Sequence, residues 1–283
     1  HLQQHEAVVH GYQALLDDGI EVPAYILGTV GDSLLALRRP AEAIPVLERA
    51  IAHAPHDVNA RILLGYAFIE TERFDRALPL FETLAASQEA WPRQAGARSG
   101  YENWDRYSAD LNHALAHSYA NDNARAETML QAQAAIGPNN PGLQAAYGAV
   151  QSRRSRPSAA LERYEMALTM APQDRDALAG RVGALTALDR IDAARDALTA
   201  LQRAHPEDPR LDRVERDLDR HRGVQATLSA NRGRSRQRDG AGTSISPFGS
   251  RDGGWALEVR SPLIDDRWRV GVFAHEDWAD FID

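Results

Sequence analysis

This chain of 283 residues contains neither cysteine nor lysine, so all 32 of its Lys and Arg positions are arginine. Without cysteine the protein has neither disulfides nor thiolate metal ligands, which is compatible with an oxidising compartment as well as with the cytosol. No run of about 18 consecutive apolar residues occurs, so the sequence predicts no membrane-spanning helix. A signal peptide is also absent, but the first residue is His1 and not methionine, so we expect a fragment or a processed form.

Acidic residues outnumber basic ones, and the formal net charge is −8. Residues 1–223 contain 24 arginines and 31 acidic residues, so they carry almost all of this charge. A negative protein repels nucleic-acid phosphates and attracts cations through a field that salt screens. We therefore expect no nucleic-acid partner and favour a cationic or neutral ligand. The alternative is that the charge serves only solubility.

Proline and alanine recur with a period of 34 residues, at Pro138, Pro172 and Pro206 and at Ala126, Ala160 and Ala194. Upstream, a second set of small residues and a proline shares the 34-residue period, but in a different phase: Gly31, Ala43, Ala50, Pro55, Gly65 and Ala77. Antiparallel helices approach closely where a residue is small, and proline separates successive helix pairs. The stretch 24–57 resembles the tetratricopeptide repeat consensus at its glycine, its two alanines and its closing proline.

The period predicts an all-α fold, a right-handed tetratricopeptide-repeat α-solenoid at 23–208, followed by a short β segment. Residues 1–22 are interpreted as the second helix of a truncated repeat, and the charged residues 209–223 as a capping or linker helix. Five full repeats are expected, at 24–57, 58–87, 107–140, 141–174 and 175–208.

An aromatic insert at 87–107 separates the two registers. It concentrates Trp91, Tyr101, Trp104 and Tyr107 among glycine, proline and asparagine. Exposed aromatic rings on a loop beside a groove are suited to stacking on the apolar faces of sugars. The alternative interpretation is that these rings plug a gap in the superhelix.

The apolar period changes from 3.6 to 2 after Gly223, which predicts strands near residues 224–230, 255–260 and 268–275. A Gly/Ser-rich break spans 239–254, and we expect residues 231–254 to be the least ordered. Alternating segments of this length are typical of outer-membrane barrel strands, but a soluble hairpin alternates in the same way. Three strands cannot close a barrel, so residues 224–283 are either the first strands of an incomplete barrel or a small soluble sheet.

Three stretches resemble the poly-β-1,6-N-acetylglucosamine (PNAG) export porins of Gram-negative bacteria, namely Tyr107 to Leu130, Ile136 to Val150 and Arg260 to Ala274. The last of them departs from the family pattern at Arg260, where tyrosine is usual, and at Leu263, which replaces a proline. The resemblance implies a periplasmic solenoid followed by an outer-membrane barrel, acting in biofilm formation. Its partners would be a cationic, partly de-N-acetylated polysaccharide, the periplasmic deacetylase and, through the barrel, the outer membrane.

Residues on the first helix of each repeat are expected to line the concave surface of the solenoid. Carboxylates there would pair with sugar ammonium groups, and aromatic rings would stack on sugar faces. For each of them a solvated or packing role is the alternative. The candidate polysaccharide- or partner-binding residues are Asp32, Asn59, Tyr66, Glu70, Trp104, Tyr107 and Asp176.

Catalysis is not predicted, and we expect no cofactor and no metal. The histidines of HEAVVH, His5 and His10, lie five positions apart and so on different helix faces. His113 and His117 have helical spacing, but they fall at packing positions of the repeat, which favours a buried pair. Two alternatives remain: a protein–protein scaffold of another exopolysaccharide secretion system, such as cellulose, and a hydrolase that uses Glu102 and Asp105.

Overall fold

A computed structural model describes residues 2–20, 22–235 and 250–281, which form twelve α-helices and three β-strands. The helices are α1 Leu2–Asp17, α2 Ala24–Ala36, α3 Pro40–His53, α4 Val58–Glu70, α5 Phe74–Ser87, α6 Trp104–Tyr119, α7 Asn123–Ile136, α8 Pro141–Arg153, α9 Pro157–Met170, α10 Arg175–Ala187, α11 Ile191–Ala204 and α12 Leu211–Arg222. The strands are β1 Gln225–Ser235, β2 Ser250–Arg260 and β3 Gly271–Phe281. The predicted order of helix pairs followed by strands is confirmed.

Glycine allows the two helices of a pair to approach closely. A Cβ added at Gly31 would lie 2.4 Å from Leu47 Cδ2, and one at Gly65 would lie 2.3 Å from Phe81 Cζ. The predicted small positions on the second helix of these pairs, Ala43 and Ala77, are fully buried. The predicted role of these small positions in helix packing is therefore confirmed.

The turn inside every helix pair contains one residue with a left-handed backbone. Its φ lies between 56° and 65°, and none of these residues is glycine. Such a residue ends the first helix and turns the chain back for the second, as an αL C-terminal residue does. The residues are Arg38, Glu72, Asn121, Ser155 and Asp189.

The insert leaves the stacking of helices intact. Buried Leu84 and Ala85 of α5 and Ala109 of α6 form one cluster with Val58 of α4, so α5 packs directly on α6. Within the insert at 87–107, residues 88–103 contain neither helix nor strand, and the two ends belong to α5 and α6.

The insert aromatics do not fill a gap in the core. Trp91, Tyr101 and Trp104 are 57%, 53% and 63% exposed, so the interpretation that they plug the superhelix is wrong for these three. Trp104 also differs from the prediction in its element, because α6 begins at Trp104 and the repeat was expected to begin at 107. Asn103 explains this boundary, since its Oδ1 accepts from the amides of Asp105 and Arg106 and caps the helix.

The chain divides into two compact units, His1–Asp174 and Arg175–Asp283. The first contains α1 to α9, and the second contains α10 to α12 with the three strands. None of the helices in the described part of the chain is both long and apolar enough to cross a membrane.

The three strands of the second unit form one antiparallel sheet in the order β1-β2-β3. Leu228 pairs with Leu257, which pairs in turn with Ala274, so apolar residues face across the strands. The three predicted strands are present, but β1 and β3 extend to Ser235 and Phe281, beyond the predicted 230 and 275, and β2 begins at Ser250, ahead of the predicted 255. Of the predicted break and least ordered region, residues 231–235 and 250–254 lie in β1 and β2, and residues 236–249 lie outside the described residues.

The β2–β3 turn packs on the end of α12 within the second unit. Leu263 donates its amide to the carbonyl of Arg222 at 2.8 Å. Arg269 donates to the carbonyls of Gly223 at 2.8 Å and Ser261 at 2.9 Å, and also to that of His221. The bonds to the carbonyls of His221, Arg222 and Gly223 satisfy acceptors at the C-terminus of α12, so the turn acts as its cap.

Candidate functional site

A cavity of about 640 Å³ opens between the insert and the α7–α8 turn of the first unit. The insert and the start of α6 contribute Trp91, Trp104 and Tyr107, and the opposite wall contains Ile136 and Asn139. Ligand-binding clefts in proteins measure about 300–1,000 Å³ and combine apolar walls with a few polar groups. This cavity has both properties, so it is the principal candidate site among the described residues.

Trp104 and Tyr107 form the aromatic wall of the cavity. Their rings meet edge to face with centroids 5.8 Å apart. Trp104 is 63% exposed and offers its ring to a ligand, whereas Tyr107 is half-buried. The Tyr107 hydroxyl donates to Asn140 Oδ1 at 3.1 Å, and burial raises the pKa of Tyr107, so the phenol stays protonated and its ring is held in place.

Hydrogen bonds connect the beginning of the insert with its end. Asn103 Nδ2 donates to the carbonyl of Glu89 at 2.6 Å, and Arg106 Nη1 donates to that of Gln88 at 2.9 Å. Gly100 lies directly over Trp91, where an added Cβ would be 2.8 Å from the carbonyl oxygen of that tryptophan. The insert is therefore a closed loop that presents Trp91 from a fixed position.

The opposite wall is held by side chains that sequence reasoning missed. Asn140 Oδ1 accepts from the Leu143 amide at 3.0 Å as well as from Tyr107, so it caps α8 and anchors the aromatic wall at once. Fully buried Gln144 donates to the carbonyl of Pro138 at 2.7 Å and fixes the turn. Asn140 followed by Pro141 is an N-terminal helix signature, and it was the one signal in the sequence for this wall.

The charges at the cavity are nearly balanced. Arg106 Nε donates to Asp110 Oδ2 at 2.6 Å, so these two lining residues neutralise each other. Glu102 is the remaining carboxylate of the wall. Asp105 is not among the lining residues, so the cavity does not bring together the pair that the hydrolase alternative requires.

Tyr66 belongs to a second aromatic group, formed by side chains of α4, α5 and α6. Its hydroxyl donates to Asn112 Oδ1 at 2.6 Å, and its ring meets those of Phe81 and Tyr119 edge to face. Burial raises the pKa of Tyr66 far above its usual range. Arg153 lies over the Tyr119 ring at 4.7 Å, a cation–π contact that the sequence did not predict. Tyr66 is therefore held by packing and by hydrogen bonding.

The polar candidates have different surroundings. Asp32 and Asn59 are exposed, and Asp32 has no ion pair among the described residues. Glu70 pairs with Arg38 at 3.2 Å. Asp176 belongs to the second unit and pairs there with Arg210 at 2.6 Å. The structure thus brings Trp104 and Tyr107 together in one cavity and gives two of the three predicted carboxylates an arginine partner.

The histidine pair of α6 is buried, as predicted. His113 and His117 are 8% and 6% exposed, with ring centroids 5.2 Å apart. Burial lowers the pKa of both rings, helped for His113 by the charge of His117 and for His117 by that of Arg125. Over the described ranges, no group of three or more metal-ligating side chains comes together.

Comparison with known proteins supports the repeat assignment. The family profile for the tetratricopeptide repeat matches residues 34–99 and 151–218. The poly-beta-1,6-N-acetyl-D-glucosamine export proteins of Escherichia coli K12 and O157:H7 are 23% identical over 284 residues, which cover 98% of this chain and 34% of each relative. The chain thus spans about a third of the length of these relatives.

Solved structures show the same architecture. A tetratricopeptide repeat protein of Thermus thermophilus has a TM-score of 0.56 at 17% identity, over 69% of this chain and 98% of its own. One from Parabacteroides merdae has a TM-score of 0.61 at 14% identity, over 77% of this chain and 78% of its own. The chain therefore folds as a tetratricopeptide-repeat α-solenoid followed by a three-stranded sheet, a fold that usually serves as a non-enzymatic scaffold for protein–protein interaction.

Proposed function

We propose that this chain is the tetratricopeptide-repeat region of a PNAG export protein and guides the partly de-N-acetylated polymer to its export pore. The observation that carries this proposal is the similarity to the export proteins over 98% of the chain, which includes both the helices and the strands. In this proposal the helices lie in the periplasm, and β1 to β3 are the first strands of an outer-membrane barrel.

The charge of the chain supports a cationic polymer as the ligand. De-N-acetylated glucosamine carries an ammonium group, and residues 1–223 have seven more acidic than basic residues. Asp32 is exposed and available for pairing. Glu70 is paired with Arg38, whose side chain is 82% exposed, and such a pair contributes only about 0–1 kcal/mol, so an ammonium group can compete for the carboxylate.

Recruitment of the periplasmic deacetylase is the protein-binding part of the proposal. Tetratricopeptide repeats typically present a curved surface to a protein partner. The same property supports the second candidate function, a scaffold in another exopolysaccharide secretion system such as that of cellulose. The two candidate functions, PNAG export and a scaffold of another secretion system, differ in their ligand, because only PNAG export requires affinity for glucosamine polymers.

The test is a calorimetric titration of the 283-residue chain with β-1,6-glucosamine oligomers, partly and fully acetylated, at low and high salt. Binding of the partly acetylated oligomer that weakens with salt is expected, since exposed charge pairs are screened within about 10 Å at 0.1 M salt. Absence of binding to both oligomers would contradict polysaccharide guidance. The deacetylase would then be titrated against the chain to test the scaffold function.

A further inference from the structure

We propose that the cavity between the insert and the α7–α8 turn is a subsite for N-acetylated hexosamine units, separate from the carboxylates that would bind free amines. This inference rests on the proposed function and adds to it a second mode of recognition within the same chain. It is carried by three features of the cavity: its aromatic wall, its near neutrality and the side chains of the opposite wall.

The aromatic wall provides faces on which sugar rings can stack. Trp91 and Trp104 line the same cavity, and each is more than half exposed although both are large apolar side chains. Tyr107 supports Trp104 edge to face, and the hydrogen bond to Asn140 holds Tyr107. Rings fixed in this way lose little side-chain freedom when a ligand binds, which favours affinity.

The balance of charge favours a neutral sugar over an ammonium ion. Arg106 and Asp110 pair at 2.6 Å and contribute no net charge, so Glu102 is the single uncompensated carboxylate among the residues described as lining the wall. A glucosamine ammonium would gain one exposed partner here. An N-acetylated unit carries no charge and needs no charged partner in the cavity.

The opposite wall matches the parts of an acetamido group. Ile136 lies on the wall and is 83% exposed, an apolar surface suited to the acetyl methyl. Asn139 is exposed on this wall, and its side-chain amide has no hydrogen-bond partner among the described residues. This side chain can therefore donate to the acetyl carbonyl of the sugar or accept from the N–H of its acetamido group. Gln133 Oε1, also on this wall, is shielded and without a partner within the described part of the chain, so a rotation of its side chain would let it accept from the N–H.

The cavity is tested with a fully N-acetylated β-1,6-glucosamine oligomer titrated into the 283-residue chain. We expect binding that changes little between low and high salt, in contrast to the partly de-acetylated oligomer. Trp104→Ala is expected to weaken it about tenfold, the loss of one stacking contact. The matched control is Trp268→Ala, because Trp268 is a 71% exposed indole of the second unit that does not line the cavity.

A second variant separates recognition of the acetyl group from general stacking. Ile136→Ser removes the exposed apolar surface without touching the aromatic wall. It is expected to weaken binding of the fully acetylated oligomer several-fold and to leave that of a fully de-acetylated oligomer unchanged. Thermal unfolding of both variants serves as the folding control, and little change is expected because both side chains are exposed.

The outcomes separate this inference from the proposed function. Salt-sensitive binding of the de-acetylated oligomer, with no binding of the acetylated one, would retain polymer guidance and overturn the acetyl subsite. Equal binding by Trp104→Ala and the unaltered chain would also overturn it. If neither oligomer binds, both proposals fail.

Discussion

Asp266 and Arg222 connect the β2–β3 turn to the last helix, with Arg222 Nε donating to Asp266 Oδ1 at 2.8 Å. A second arginine, Arg195 of α11, reaches the other carboxylate oxygen at 2.6 Å. The Asp266 side chain is only 13% exposed, so one carboxylate holds the turn against two helices. Its backbone has a φ of 53°, a conformation that aspartate and asparagine tolerate better than most residues.

The first prediction concerns this contact. Asp266→Asn keeps a residue that tolerates the left-handed backbone but removes the charge, leaving two arginines without their shared partner. We expect the free energy of unfolding to fall by about 1 kcal/mol, since the carboxylate is largely buried and the arginines are partly exposed. Urea denaturation of the chain measures this, and hydrogen exchange of the Leu263 amide reports the turn directly.

Asp265→Asn is the matched control for that variant. Asp265 has a similar φ of 51° and no ion pair among the described residues. If the two substitutions have the same effect on stability, the carboxylate of Asp266 does not hold the turn.

Gly65→Ala is expected to destabilise the first unit. The added methyl would lie 2.3 Å from Phe81 Cζ, and Phe81 is fully buried, so the ring or the helices must shift. Overpacking of this kind costs about 1–3 kcal/mol. Gly28→Ala is the control on α2, where an added Cβ has nothing within 4 Å, and it is expected to raise stability by up to about 1 kcal/mol. Circular dichroism during urea denaturation compares them, and equal effects would show that Gly65 is not needed for helix approach.

The buried histidines predict a loss of stability in mild acid. Burial lowers the pKa of His113 and His117 below the ordinary value of 6.5, so the unfolded chain binds more protons than the folded one just below that pH. The free energy of unfolding should therefore be highest above pH 6.5 and fall as the pH drops toward about 5. Urea denaturation across this range measures the slope.

His113→Gln should flatten this slope, because the glutamine has no proton to take up. The control is His56→Gln, since His56 is exposed in the turn between α3 and α4. A profile that stays as steep in His113→Gln as in the unaltered chain would assign the acid sensitivity to other groups.

Asp32→Asn tests the predicted acidic contacts. One exposed charge pair is worth about 1 kcal/mol in water, so affinity for the partly de-acetylated oligomer should fall about fivefold at low salt and less at high salt. Asp75→Asn removes the same charge from the exposed surface of α5, the second helix of its pair, and should have a smaller effect. Equal losses in the two variants would indicate a diffuse field without a contact at Asp32.

The repeats were predictable because their cause is local in sequence. A proline that closes a repeat, such as Pro138, cannot continue the preceding helix, and Gly31 or Ala43 is small in any surroundings, so the 34-residue spacing predicts the helix pairs closely. The strands were predictable for the same reason, since alternation needs no knowledge of neighbours. The start of α6 was missed by three residues because Asn103 caps it through its side chain.

The candidate site was only half predictable. Trp104 and Tyr107 stood out by their residue type, but the wall opposite them comes from residues 133–140, at the end of the next helix and in the turn that follows it. Nothing in the sequence connects Tyr107 with Asn140, or Glu70 with Arg38, because these contacts exist only once successive helix pairs have stacked.

By itself, the sequence determined the order of the helices and strands and which residues are small enough to pack. The tertiary structure alone decided that the insert leaves the core continuous, that its rings are exposed beside a cavity, and that Glu70, Asp176 and Asp266 have arginine partners. The physical reason is distance: helix propensity, proline and alternation act over a few residues, whereas a cavity or an ion pair depends on segments that only folding brings together.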